Sequence, residues 1–435
     1  MMKRFLLILT ALACLVSCGA VHAEEPGRSL DRVVVLSRHN IRSPLSGGGS
    51  LLGDITPHEW FRWTSRPSEL SLRGGVLETM MGQYFRQWLE AEGLFRENER
   101  PEEGAVRFYA NAKQRTLATA RYFAAGLLPV AEIPIEIHAP YDTMDPTFTP
   151  ALTFVTEDYA RDVERQAAEK GGADGLAGVL AGLRPALTLL MDVTDMAESE
   201  AYQAGTYGDL LTGETVLKLE EGKEPGMTGP IRTGTSVADA LILQYYEEAD
   251  AVKAAFGHSL TETDWQLIHS VVDTYSELLF GLPLVAVNVA HPLLREIRSE
   301  VAAEGRKFSF LCGHDSNLAS VLAAMGAEPY LLPDTAEQHT PIGGKLVFER
   351  WVGTDGSARW RVRLVYHSTE QLRGMTPLSP EQPPVSFPMH FKGAAEDADG
   401  LIAEEDLLAL LDEAIGAYDG LLTRYGAEEP LPDAA

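Results

Sequence analysis

Two arginines flank an imidazole in Arg38-His39-Asn40-Ile41-Arg42-Ser43-Pro44, directly after the apolar run Val33–Leu36. Guanidinium groups stay charged at any working pH and offer a planar fork of donors matched to phosphate oxygens, while a neutral imidazole can attack phosphorus. The pattern is that of an anion clamp with a nucleophile inside it, and phosphate is the anion it suits best. A further basic residue, Arg115, follows the strand-like stretch 105–111 at the start of a helical pattern. Free N–H groups and the helix dipole favour an anion there as well. From its own surroundings, Arg115 reads equally well as an exposed residue at the start of a helix.

These side chains need a scaffold, and the hydrophobic periodicity supplies one. Val33–Leu36 reads as a buried strand of a parallel sheet, whose carboxyl end is where ligands gather in open α/β folds. Residues 72–92 read as an amphipathic helix with Val76, Met80, Tyr84 and Trp88 as its core stripe. Strands are expected at 105–111, 133–138 and 307–311. One helix is expected to run to Ala125 and end at Gly126, with another at 318–325. Residues 340–348 and 359–366 read as a hairpin extending the sheet, and 404–425 as the last helix. Between 155 and 304 the pattern is predominantly helical. The chain therefore divides into an α/β core, 24–150 with 305–435, and an inserted, mainly helical domain, 151–304, capping the site.

Arg38-His39-x-x-Arg42-x-Pro44 resembles the signature of the histidine acid phosphatases, the secreted branch of the histidine phosphatase superfamily. Within that family it looks most like the periplasmic glucose-1-phosphatases. The resemblance implies a phosphoglycerate-mutase-like, three-layer α/β/α core and catalysis without metal or cofactor. His39 would be the nucleophile, and Arg115-Thr116 matches the family's third clamp arginine. His314-Asp315 stands where the family has its second motif. His314 would complete the phosphate clamp beside Arg38, Arg42 and Arg115, and Asp315 would protonate the departing oxygen. A sugar alkoxide is too basic to leave unprotonated, so a positioned acid is worth roughly 10² to 10⁴ in rate. The plainer alternative is that Asp315 only caps its helix.

Two residues bear on specificity. Relatives that hydrolyse phytate usually have Gly after the nucleophilic His, whereas this chain has Asn40. By the same resemblance Glu224, in the loop 224–230, would face the substrate's organic group; on sequence alone it is a loop acid. The loop Ser46–Ser50 is expected at the site mouth, and residues 45–57 contain no Lys or Arg, which argues for a substrate with one phosphate. The expected activity is hydrolysis of a sugar phosphomonoester through a phosphohistidine. A phytase or broad-specificity acid phosphatase is the alternative. A phosphate-ester binding protein is the non-enzymatic rival, disfavoured because a binder has no use for a proton donor. A mutase of the same superfamily is disfavoured by export.

Bulk properties bound the partners. The formal charge of −27 over 435 residues opposes nucleic acid and anionic membrane surfaces, which require basic residues to displace counterions. Residues 1–23 read as a secretory signal: Lys3 and Arg4, an apolar run, then Val21-His22-Ala23. Periplasmic export is expected, with a lipidated Cys18 as the competing reading. No later stretch is expected to approach the length of a membrane span. Removing the signal takes Cys14 and Cys18 with it and leaves Cys312 as the single thiol, a buried core residue that cannot form an internal disulfide.

Overall fold

Val33 to Leu36, all fully buried, alternate between two apolar layers on opposite faces of one sheet. The computed structural model describes residues 27–45, 51–206 and 208–427, so residues 1–23 and the Ser46–Ser50 loop lie outside the described residues. Ten strands occur among them: β1 Arg28–Arg38, β2 Val106–Ala110, β3 Ile135–Glu136, β4 Val216–Lys218, β5 Gly226–Thr228, β6 Phe308–Gly313, β7 Lys345–Gly353, β8 Ala358–Tyr366, β9 Val385–Pro388 and β10 Ile402–Ala403. Eight of them form one sheet in the order β10-β8-β7-β1-β6-β2-β3, with β9 also on β8. β1, β6, β2 and β3 run parallel, and β7 to β10 add an antiparallel wing.

Val33, Val35, Phe108 and Phe310 pack on one face against the helices Leu72–Ala91 and Gln114–Leu127. Val34, Leu36 and Leu311 pack on the other face against the helices Pro283–Ala302, Asp315–Ala324 and Glu404–Tyr425. This is the expected three-layer α/β/α core. The expected stripe of the Leu72–Ala91 helix holds at Tyr84 and Trp88, while in its first half the buried positions fall one residue later, at Leu77 and Met81. Leu77, Met81, Tyr84, Phe85 and Trp88 are buried, whereas Val76 and Met80 are only half-buried.

Gly126 does not end its helix, which continues to Leu127. Its absent side chain serves helix packing instead. A Cβ on Gly126 would lie 2.2 Å from the Thr79 carbonyl oxygen, and one on Gly82 would lie 2.2 Å from that of Phe123. The Leu72–Ala91 and Gln114–Leu127 helices thus touch backbone to backbone. Since both obstacles are carbonyls of rigid helices, Gly82→Ala should force them apart and cost about 1–3 kcal/mol, as overpacking does. Urea unfolding at constant m-value measures it. A midpoint equal to wild type would show that the crossing yields freely.

Residues 151–282 supply most of a further apolar cluster from short and medium helices, including Glu157–Glu169, Arg184–Val193, Pro230–Glu247 and Glu262–Ser276, which Ile41, Leu77 and Tyr418 join from the core. The small hairpin β4–β5 is the strand component of an interval that is, as expected, mainly helical. The chain then bends by 76° into the Pro283–Ala302 helix, where a proline occupies the first helical position. That helix gives Leu284, Val285 and Val289 to the helical cluster and then Ala290, Leu293, Leu294 and Ile297 to the sheet's core. We therefore propose 151–282, rather than 151–304, as the helical layer. One run, Gly172–Val193, is by length and composition apolar enough to cross a membrane, at 22 residues and mean hydropathy 1.5. That corrects the expectation that no later stretch would be. The run comprises three successive short helical pieces, and its Leu180, Ala186, Leu187 and Leu190 pack into the helical cluster.

Candidate active site

The parallel pairing sets the site. Arg38 pairs with Gly313 across β1 and β6, and Ala110 pairs with Cys312 across β2 and β6, so three strands end at one level. Past those ends the backbone stays locked: His39 N–H donates to the Gly313 carbonyl (3.1 Å) and Asn111 N–H to that of Cys312 (2.9 Å). His39, Asn111 and His314 each follow their strand directly, and Arg115 enters from the first turn of the Gln114–Leu127 helix. A cavity of about 520 Å³ opens above them, lined by His39, Arg42, Arg115, His314, Asp315 and Glu224, among others.

His39 is almost fully buried, and its Nδ1 lies 2.9 Å from the carbonyl oxygen of Asn40. A carbonyl can only accept, so Nδ1 carries the proton and Nε2 keeps its lone pair. Burial, then the cations Arg115, Arg42 and Arg38 together with His314, holds the His39 pKa well below the usual imidazole value. The free protein thus presents a neutral imidazole even in mild acid.

His314 is oriented from the other side. Asn111 Oδ1 accepts the Asp145 N–H (2.9 Å), which leaves Asn111 Nδ2 to donate to His314 Nε2 (2.7 Å). The His314 proton is then on Nδ1, 3.3 Å from Arg115 Nη2. Two donors face each other there, an arrangement that an anion between them would relieve. Burial and the adjacent Arg42 lower Arg115 to about 10, so it stays charged below neutrality. Among the described residues, the buried Nε–H groups of Arg38, Arg42 and Arg115 have no hydrogen-bond partner, which adds to the unmet demand for an acceptor.

Two carboxylates hold the clamp arginines from behind. Arg38 Nη1 donates to Glu337 (2.7 Å) and to the Thr340 carbonyl. Burial pushes Glu337 up, but Arg38 and His269 outweigh it and bring it to about 2. Arg42 Nη2 reaches both oxygens of Asp239 at 3.2 and 3.1 Å. Asp315 is the first residue of its helix, and His314 is the N-cap, closed by Asn317 Oδ1 accepting the His314 N–H (2.9 Å). Asp315 Oδ1 accepts the Ser316 N–H and Oδ2 lies 3.6 Å from Arg38, with 40% of the side chain exposed to the cavity.

The structure therefore brings together His39, Arg38, Arg42, Arg115, His314 and Asp315. Glu224, in the β4–β5 turn, lines the same cavity, and crowding followed by the charge of Asp315 raises its carboxyl. Asn40 is a correction. It is fully buried and does not line the cavity; its Nδ2 donates to Glu78 (2.8 Å), which pairs with Lys345 (3.0 Å) inside the core. It cannot touch a substrate, because its side chain is committed to that buried pair. Sequence reasoning missed Asn111, Asp239 and Glu337. Only the placement of Asn111 directly after a strand and before Arg115 could have drawn attention to it.

Residues 29–166 and 244–367 match the family model described as histidine phosphatase superfamily (branch 2). A glucose-1-phosphatase of Salmonella typhimurium is 37% identical over 92% of this chain and 96% of its own length. One of Providencia rettgeri is 36% identical over 89% and 92%. The phytase AppA of Escherichia coli is 29% identical over 95% and 98%. Among solved structures, the apo phytase of Hafnia alvei superposes with a TM-score of 0.81 at 26% identity, covering 89% of this chain and 97% of that one.

Proposed function

The chain belongs to branch 2 of the histidine phosphatase superfamily, and from that membership we propose that it is an exported acid phosphatase of the glucose-1-phosphatase type, hydrolysing a sugar phosphomonoester. The observation that carries this reading is the His39 imidazole, with Nε2 free, set among Arg38, Arg42, Arg115 and His314 at the ends of β1, β2 and β6. His39 Nε2 attacks phosphorus while the ester oxygen leaves in line with it, taking a proton from Asp315. The arginines and the His314 Nδ1–H hold the equatorial oxygens as charge shifts among them. Asp315, now a carboxylate, takes a proton from water as that water displaces His39 from phosphorus, releasing phosphate. The partner is a small phosphate ester. Export to the periplasm rests on the signal-like residues 1–23.

Glucose 1-phosphate, other sugar phosphates and phytate assayed side by side at equal ionic strength test the substrate class. A higher kcat/KM for glucose 1-phosphate than for phytate is expected. The reverse order would replace the sugar-phosphatase reading with a phytase one.

A further inference from the structure

The cavity has a second cationic end that the clamp does not use. Arg232 lines its helical wall, and among the described residues it makes no ion pair, in a chain where acids outnumber bases by 63 to 36. Its guanidinium is nevertheless held in place: Nη1 donates to Ser236 Oγ (2.5 Å), and the group lies 5.6 Å from the centre of the Tyr275 ring. Arg232, Ser236 and Asp239 recur at i, i+4 and i+7 on the Pro230–Glu247 helix, so all three present one face to the cavity.

That spacing is also a ruler. At 1.5 Å per residue, Arg232 stands about 10 Å along the helix from Asp239. Asp239 is the residue that grips Arg42 of the phosphate clamp. A phosphate seated in the clamp would therefore be separated from Arg232 by about the reach of one hexose. Thr235 and Ser236 line the wall between them. Arg42 and Arg38 are each neutralised by a carboxylate, Asp239 and Glu337, whereas Arg232 is not.

The geometry points to a distal anion subsite at Arg232, so that the preferred substrate is a phosphomonoester carrying a second anionic group one hexose away, such as a hexose bisphosphate. This rests on the phosphatase reading and deepens it. The absence of Lys and Arg from residues 45–57 argued for a single phosphate, but the second cation comes from the helical wall instead. Only the clamped phosphate is transferred: its P–O bond to the sugar breaks, water supplies the new oxygen, and the distal group departs with the sugar.

The test compares kcat/KM for glucose 1,6-bisphosphate and glucose 1-phosphate at fixed ionic strength, in wild type, Arg232→Gln and Arg232→Lys. Wild type should favour the bisphosphate by about fivefold or more, the scale of one partly exposed charge pair. Arg232→Gln should lose that preference and Arg232→Lys keep part of it, with glucose 6-phosphate as the product from the bisphosphate and glucose as the product from glucose 1-phosphate. A wild-type ratio of one or less, or a ratio unchanged in Arg232→Gln, overturns the subsite while leaving the phosphatase reading intact. Hydrolysis of neither ester by wild type would overturn both.

Discussion

His39→Ala should lose at least about 10⁴ in kcat, the order seen when a nucleophile is removed from an otherwise intact site. It should also lose all covalently bound phosphate. In wild type, a labelled ester mixed rapidly and quenched into alkali, where a P–N bond survives, should leave one labelled phosphate per chain. The variant should leave none. His39 should contribute little to folding, because among the described residues its ring makes one hydrogen bond, to the Asn40 carbonyl, and lies against His314 with ring centres 5.4 Å apart. Arg38 and Arg42 keep Glu337 and Asp239 in the variant, so the clamp should still bind inorganic phosphate. Competitive binding of phosphate to an inactive, folded His39→Ala protein separates loss of the nucleophile from loss of the site. Label trapped on that variant would place the nucleophile elsewhere.

The clamp was legible in the sequence because strand ends and helix starts are local signals. Val33–Leu36, 307–311 and 105–111 each break from an apolar run into a charged or polar residue, and parallel pairing carries those breaks to one level. What holds the clamp was not legible. Asp239 lies 197 positions from Arg42, and Glu337 lies 299 positions from Arg38. No periodicity connects residues so far apart, since Asp239 arrives with a helix of the helical layer and Glu337 with the loop between the Asp315–Ala324 helix and β7. Asn40 shows the opposite failure. A departure next to the nucleophile was read as bearing on specificity, yet its amide faces backward into the buried Glu78–Lys345 pair. Adjacency in sequence does not decide which way a side chain points, and at the mouth of a sheet successive residues turn to opposite sides. Gly126 was misread for a related reason, because a glycine at a helix end and one at a helix crossing look alike until the partner, Gly82, is in place.

Asp315→Asn should separate the two halves of the reaction by leaving group. The carboxyl of the free protein is held below its usual range: burial raises it, but Arg38, His314 and Arg42 outweigh that. Asp315 is therefore ionised when the site is empty, and the proton it later donates must arrive with the ester monoanion. As a phosphate takes a share of Arg38, the stabilisation of the carboxylate falls and its proton affinity rises. With His39 kept neutral well below its ordinary value, activity should persist as pH falls below 6.5 and decline as pH rises through the second ionisation of the ester. Asparagine retains the shape and cannot donate that proton to an alkoxide. Phosphoryl transfer from glucose 1-phosphate should then slow by about 10² to 10⁴. Nitrophenolate departs without a proton, so p-nitrophenyl phosphate should still give a burst of about one equivalent. Steady turnover should be slow with both esters, because water has lost its base. Removing the charge beside Arg38 should also tighten phosphate binding. The burst is the decisive reading: if it slows as much as cleavage of glucose 1-phosphate, Asp315 supports the clamp electrostatically and the leaving group takes its proton from another residue.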